Sequence, residues 1–585
     1  SVYGTGNPVA LLKDYGHIRN VYGTLLADLS IRQDLSALTK GLAAEASVSF
    51  DNIGGMNETT NKEYRYMNSN ASITSDGTLV TTPAIYGTDS ETLGHTQPFE
   101  RLMLRSDFQA KVDYNRTFGK HQVGGALIYD MQSVVKNGRN NSQKNQSVLV
   151  NATYTYDNRY SLNAVFNRSG SAYLPDGDKY SNYPAVSAAW IVSNEAFMEK
   201  VTPINLFKIR ASYGLSGWDG NLSHELWRQS YGSGGAGYNF GVNAGGQSGG
   251  SEGDLPVIGL VAEKSQKATF GFDLAAFDNR LNATVEGFYE KRSDILVSGA
   301  NSTSGIIGIT VGQVNEGIYK YKGLDASLSW NDKIGDFHYG IGASMSYLNT
   351  EVVNVNQAYQ EYDYLYTKGN RIGQMYGLEA IGFFNSQQEI NNSPQQTFSD
   401  VAPGDVKYKD QNGDNRIDEK DVVKMFGSSV PRFYFGFNLN FSYKRVELSA
   451  DFQGMTGVTV SLLNSPLYSP LVSNGNISNT FLNEEISWTP ENKTNATMPR
   501  LTTQENLNNY RASSLWYRDG SFLKLRNLLV AYTFPKSQTR FADLKVFVQG
   551  TNLFSLDNLH FADPEQLGIA YPSTRSYWAG IKLNF

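Results

Sequence analysis

The sequence predicts an all-β protein, a transmembrane antiparallel β-barrel, on three observations. Apolar and polar residues alternate with a period of two in repeated stretches of about 9–11 residues, the length a tilted strand needs to cross a bilayer. These stretches pair through short turns, whereas the links from one pair to the next are long. No run of 18 or more apolar residues exists that would make a membrane helix.

The elements follow in order. Residues 1–60 open on Asn7-Pro8-Val9-Ala10 and continue into two strand-like runs near Arg19–Leu29 and Leu35–Phe50. Phe108, Ala110, Val112 and Tyr114 alternate with Gln109, Lys111 and Asp113; a turn at Gly119-Lys120 leads to Val123, Gly125, Leu127 and Tyr129. Ala152, Tyr154 and Tyr156 reach a turn at Asp157-Asn158-Arg159, then Tyr160, Leu162, Ala164 and Phe166. Phe272, Leu274 and Ala276 pass through Asp278-Asn279 to Leu281, Ala283, Val285 and Tyr289. Leu324, Ala326, Leu328 and Trp330 cross a turn over Asn331–Asp336 to Phe337, Tyr339, Ile341, Ala343, Met345 and Tyr347.

The clearest hairpin comes next. Phe433, Phe435, Phe437, Leu439, Phe441 and Tyr443 share one face; after Lys444-Arg445, Val446, Leu448, Ala450 and Phe452 share one face and Glu447, Ser449, Asp451 and Gln453 the other. A greasy face fits the inside of a soluble sandwich or the outside of a membrane barrel. The lopsided ends decide for the barrel, because the links Gly170–Tyr183, Gly232–Leu255, Asn385–Val430 and Met455–Ser514 are long. Closure also removes the edges that roughly 18 strand-like segments would expose. The chain finishes on one more strand, with Tyr577, Ala579, Ile581, Leu583 and Phe585 on one face.

Composition agrees. The 585 residues include 56 Gly, 36 Tyr and 30 Phe, with a net charge of −6 and no cysteine. No basic patch suggests nucleic acid, and neither disulfides nor thiolate metal sites are available. No Pro-rich linker or charge block divides the chain.

One stretch has the spacing of a metal loop. From Asp410 to Asp421, oxygen ligands fall at positions 1, 3, 5, 9 and 12 of an EF-hand-type calcium loop: Asp410, Asn412, Asp414, Asp418 and Asp421, with the Arg416 carbonyl at position 7. Asn415 stands where glycine is usual, and asparagine tolerates the left-handed turn. Asp421 replaces the bidentate glutamate; a solvated acidic turn is the plainer alternative. The histidines His17, His95, His121, His224, His338 and His560 are scattered, without ligand spacing. The glycine-rich 232–250 stretch has no Lys-Ser/Thr after it, so a mobile extracellular loop fits better than a phosphate loop. Trp218, Trp227, Trp488 and Trp516 suit membrane-interface positions, with sugar stacking as the alternative.

Several motifs resemble the SusC/RagA branch of TonB-dependent outer-membrane transporters. They are Pro403-Gly404-Asp405-Val406-Lys407-Tyr408-Lys409-Asp410 with Asn412-Gly413-Asp414 and Ile417-Asp418, Pro431-Arg432-Phe433 into Gly436-Phe437-Asn438, Phe452-Gln453-Gly454, and Tyr183-Pro184-Ala185-Val186-Ser187-Ala188-Ala189-Trp190. Lys208-Ile209-Arg210-Ala211-Ser212-Tyr213-Gly214, Asp519-Gly520-Ser521-Phe522-Leu523-Lys524-Leu525-Arg526-Asn527 and the closing Gly580-Ile581-Lys582-Leu583-Asn584-Phe585 complete the set. The resemblance implies a 22-stranded barrel whose lumen holds an N-terminal plug. It further implies TonB-energised import of an oligosaccharide (glycan) or peptide across the outer membrane, and a SusD-like surface lipoprotein as lid.

Against that pattern, residues 1–585 read as the C-terminal portion of the barrel, without plug or first strands. A Ca²⁺ ion in the acidic loop is the one expected cofactor, and no catalytic residue is expected. A passive porin, a barrel enzyme and a soluble multi-strand binding protein are the rivals. An enzyme would need a Ser-His or Asp-His constellation, which the scattered histidines do not offer. With Phe585 at the periplasmic side, strand parity puts Pro535–Arg540 and Lys444-Arg445 in the periplasm and Asp410–Asp421 outside the cell.

Overall fold

The computed structural model describes residues 8–585, apart from 75, 137–141, 224, 240–245, 300–305, 307, 310, 464–485, 503–505, 560–562 and 567–572. Strand accounts for 62% of the described residues and helix for 6%. The chain divides into two compact units: 1–153 with 165–183 and 222–226, and 154–164 with 184–221 and 227–585.

In the first unit, Gly16–Asp34 pairs antiparallel with Leu42–Asn61, which pairs on its other edge with Phe99–Phe118, and that strand with His121–Lys136. Phe118 faces His121 across the predicted Gly119-Lys120 turn. One face of these strands is a ladder of charge. Arg32 donates to Glu45 Oε2 at 2.9 Å and to Asp113 Oδ2 at 3.0 Å, and Lys111 Nζ lies 3.3 Å from Asp113 Oδ1. The other face carries Val48, Phe50, Val112, Leu127 and Met131, all exposed.

The second unit contains an antiparallel meander in which each strand pairs with the next. Tyr180–Ile191, Ile204–Trp218, Glu263–Ala276, Leu281–Ser298, Gln313–Ile334, Phe337–Asn354, Phe433–Tyr443, Val446–Thr456, Phe522–Phe534, Asp543–Asp557 and Ser576–Asn584 follow in order. Its tight turns use left-handed backbone at Asp157 and Asn158, at Phe277, Asp278 and Asn279, and at Lys444.

The same two-faced chemistry recurs here. Tyr213 is 52% exposed and Phe270 64% on one face. On the other, Lys208 Nζ lies 3.4 Å from Asp273 Oδ2, Thr284 donates to Asp273 Oδ1 at 3.1 Å, and Ser212 bonds Thr269 at 2.8 Å. Arg210 pairs with Glu286 across the intervening strand. Gly271 sits opposite both residues, and a Cβ there would stand 3.1 Å from Glu286 Cβ and 2.4 Å from the Val285 carbonyl oxygen. The glycine leaves room for the charged pair to close. A soluble sandwich would bury the apolar face and wet the polar one. These strands turn the apolar face outward and leave the polar one half-buried, as a barrel in lipid does.

Five expectations change in detail. The second strand begins at Leu42 rather than Leu35, because Asp34 accepts the Ser36 N–H and turns the chain. The turn expected over Asn331–Asp336 shrinks to Gly335-Asp336, with Ile334 facing Phe337. The link Gly170–Tyr183 shortens, since flanking strands run to Ser171 and from Tyr180. The glycine-rich stretch is not an open loop: Tyr231–Asn239 pairs with Gly246–Glu252, as backbone ladders need no side chains. Strands reach 20 and 22 residues in Phe99–Phe118 and Gln313–Ile334, about twice what crosses a bilayer. Of the opening residues, Asn7 lies outside the described residues and Pro8–Ala10 forms a helical turn.

The two faces predict unequal tolerance of charge. Leu162→Arg, on the exposed apolar face of Tyr160–Ser171, is expected to cost about 2–4 kcal/mol, and Asn163→Arg on the polar face far less. Urea unfolding from lipid vesicles measures the difference; equal costs would mean that the apolar face does not meet lipid.

Candidate functional site

Two long segments, 355–432 and 457–521, leave the ends of the second unit's strands and fold against each other. Their local pairings are short: Gln374–Gly377 with Val423–Ser428, Ala380–Phe383 with Val406–Tyr408, Gln395–Gln396 with Arg416–Ile417, and Thr459–Ser461 with Tyr517–Asp519. Two apolar clusters fill the interior. One holds Leu378, Val406, Tyr408 and Ile417; the other Leu462, Met498, Trp516 and Leu559, with Leu515 against both. Main-chain bonds stitch the segments, Leu378 N–H to the Ala512 carbonyl at 2.9 Å and Ser514 N–H to the Leu378 carbonyl at 3.0 Å.

Asp405 is the centre of this platform. Fully buried, it accepts from Arg500 Nε at 2.7 Å, Asn509 Nδ2 at 2.9 Å, Asn506 Nδ2 at 3.1 Å and the Ala402 N–H at 2.8 Å. Asn509 returns a bond by accepting the Val406 N–H at 2.9 Å. Gln396 donates to Asn508 Oδ1 at 2.9 Å and accepts the Tyr408 N–H at 2.7 Å. Burial raises the Tyr408 hydroxyl well above its ordinary range, and burial with Asp405 nearby pushes Tyr510 up to about 12. Tyr408 therefore stays a donor, to the Asn508 carbonyl at 2.8 Å.

A second charged cluster ties down the last long loop. Lys524, almost wholly buried, donates to Asp563 Oδ1 at 2.6 Å and Glu565 Oε2 at 2.7 Å. Burial alone would raise Asp563; the bonds from Lys524, Ser573 and the Glu565 N–H overturn this and hold it at about 2. Arg526 occupies a bulge between Leu525 and Asn527 and reaches Gln453 Oε1 at 2.9 Å and Asn552 Oδ1 at 3.1 Å. A bulge re-aims one side chain in this way.

The acidic loop projects from this platform. Asp410 accepts the N–H groups of Gly413 at 2.6 Å and Asn415 at 2.9 Å; Asn412 accepts that of Asp414 at 3.0 Å, and Asp414 that of Arg416 at 2.8 Å. Asn415 is left-handed, with φ 63°, as the loop spacing requires. The Asn415 and Ile417 carbonyls accept from Gln395 and Thr397 at 3.1 Å each, which turns the Arg416 carbonyl between them away from that neighbour. Asp418 caps a short helical turn by accepting the Lys420 N–H at 2.8 Å. Asp421 is fully buried and clasps both ends of the loop, accepting from Gln411 at 2.8 Å and Asp418 at 2.9 Å. Among the described residues no three His, Asp or Glu side chains are gathered as a metal cluster.

Other sequence candidates separate. Trp516 and Trp488 are buried within the platform rather than at a membrane interface; Trp218 is exposed at a strand end. His17, His121 and His338 lie on strands and His95 on the short Gly94–Thr96 strand, while His224 and His560 lie outside the described residues. Sequence reading quoted Asp405 only inside a motif and missed Arg500, Asn506, Asn508 and Asn509. Three asparagines within four positions, beside few apolar residues, were the available signal.

No family model matches the chain. The TonB-dependent receptor P26 of Formosa agariphila is 28% identical over 461 residues, covering 74% of this chain and 45% of the relative. The TonB-dependent receptor SusC of Bacteroides thetaiotaomicron is 22% identical over 465 residues, covering 74% and 43%. The chain spans about half the length of these curated relatives. The solved RagAB peptide transporter matches with a TM-score of 0.72 at 17% identity, over 97% of this chain and 62% of that one, a likeness of fold.

Asp405→Asn keeps the shape but removes the charge, and is expected to weaken the platform by about 1.5–3 kcal/mol. Hydrogen exchange is predicted to quicken within 376–408 and 506–516 and to stay unchanged in Phe433–Tyr443. Uniform quickening would mean that Asp405 supports the whole sheet.

Proposed function

The chain is a homologue of TonB-dependent receptors, SusC among them, and has a transporter's β-barrel fold; from that premise we propose that it forms barrel wall in an outer-membrane nutrient importer energised through TonB. The observation that carries this reading is the loop platform. A passive pore needs no rigid assembly above its strands, since links between neighbouring strands are usually a few residues and longer ones carry function. Here two long segments converge on Asp405 and its asparagines. Such a surface suits a SusD-like lipoprotein lid, whose seat would bury on the order of 1,200–2,000 Å² or more. Lid and platform would then enclose an oligosaccharide or peptide.

Deleting TonB and the lid gene separately, and following uptake of labelled nutrient, tests the reading. Uptake is expected to fall to background without TonB. Undiminished import would put a passive porin in its place.

Calcium binding to the acidic loop is part of the same proposal. Asp410, Asn412 and Asp414 are hard oxygen donors on the exposed side of the loop, the Arg416 carbonyl is turned from its strand neighbour, and each carboxylate oxygen keeps a lone pair beyond its N–H bond. Asp418 supplies the ninth position, and the Asp421 clasp fixes the loop ends. An ion there would stiffen the platform. Calorimetry with CaCl₂ is expected to give a dissociation constant of about 10⁻⁴–10⁻³ M and no heat for the Asp410→Asn/Asp414→Asn variant. No heat from the unaltered protein would end the idea.

A further inference from the structure

The outward apolar face of the first unit changes character at its long-loop end. Along Ser142–Thr153, Val148 and Val150 point outward, then Gln146 and Lys144; along Val165–Ser171, Phe166 is followed by Arg168. Several charges on the polar face are paired, as in Arg32–Asp113, Lys111–Asp113 and Arg105–Asp107. Lys144 and Arg168 are outward, exposed and in no ion pair among the described residues. Lys179 nearby is neutralised by Asp176.

Lys144 lines a groove of about 620 Å³ together with Phe108, Met131, Gln146, Ser171 and Tyr180, the ring that Arg168 covers. Its wall is fixed. Arg168 lies over the Tyr180 ring, 5.6 Å from its centroid, and donates to Asn182 Oδ1 at 3.3 Å. Gln146 binds the Tyr180 hydroxyl and accepts from Tyr129 at 3.3 Å. The ring lies so close over Gly170 that a Cβ there would be 2.5 Å from Tyr180 Cε1. Basic side chains that only snorkel to an interface need neither a groove nor a held ring.

We propose that this groove binds a phosphorylated lipid A of the outer leaflet, an acyl chain lying on Phe108 and Met131 and the glucosamine phosphate between Lys144 and Arg168. The occupant follows from position and charge. The apolar strip below suits acyl chains, the unpaired cations suit phosphate, and the long-loop end faces the outer leaflet in the orientation given above, on which the assignment rests. Bound lipid would fix the wall beside the extracellular loops.

The test is native mass spectrometry of the receptor purified from outer membranes in mild detergent, with purified lipid A and its dephosphorylated form as probes. Lys144→Gln/Arg168→Gln is expected to retain roughly 30-fold less lipid A, about fivefold per basic side chain. Lys144→Arg/Arg168→Lys should retain it, and heat-modifiable gel migration checks that each variant is folded. Equal retention by the glutamine variant, equal binding of dephosphorylated lipid A, or a glycerophospholipid in its place would overturn the proposal. Impermeant labelling of intact cells reads orientation separately: Gly177→Cys should react and Lys120→Cys should not. The reverse pattern overturns the orientation and the lipid A assignment with it.

Discussion

Hydrocarbon cannot hydrogen-bond a peptide group, and that constraint organises the strands. Every backbone N–H and carbonyl inside the bilayer must be met by a neighbouring strand, so long registers run with few interruptions, as in the unbroken ladder from Gly16↔Asn61 to Asp34↔Ala43. Once the ladder is fixed, a two-residue period assigns each side chain to lipid or to water. The polar face must then settle its own charges, and it does so locally, by cross-strand contacts such as Arg210–Glu286 over Gly271.

Beyond the bilayer the constraint reverses. Segments 355–432 and 457–521 stand in water and must bury their own apolar residues, so they build a core like that of a soluble domain. The interior is small, and Asp405 does more than fill it. Buried ion pairs are often worth little against an apolar replacement of the same shape, but their hydrogen-bond geometry admits few alternatives. Asp405 can satisfy Arg500, Asn506, Asn509 and the Ala402 N–H only when both segments lie in one register. Its contribution is to select one arrangement of two long loops, which generic hydrophobic contact would leave free to slide.

This difference explains what the sequence made legible. Hairpins such as Phe433–Tyr443 with Val446–Thr456 were readable to within two residues, because lipid enforces alternation and a tight turn enforces register. Strand ends were harder. Past the bilayer nothing demands alternation, so Asn331–Ile334 read as a turn although the ladder continues through it. The acidic loop kept its predicted left-handed Asn415, since that geometry is local. Asp405's partners lie about a hundred positions away, and no local pattern announces a contact of that span. Trp488 and Trp516 were misplaced for a related reason: a tryptophan in a loop looks like an interface anchor until the loop proves to have an interior.

Rigidity of the loops also bears on transport. Closing a lid over a flexible surface would require that surface to be ordered at each cycle, at about 0.5–1.5 kcal/mol per immobilised side chain. A platform already locked by Asp405 and flanked by the Lys524–Asp563–Glu565 cluster carries that ordering into the unliganded state. In the proposed importer, the binding energy of lid and substrate would then be left for closure itself. The charged locks sit where water is scarce within the loops, so ordinary salt screens them less than it would screen exposed pairs. In the proposed importer, at a cell surface where ionic strength varies, the loops would thereby be insulated from the medium.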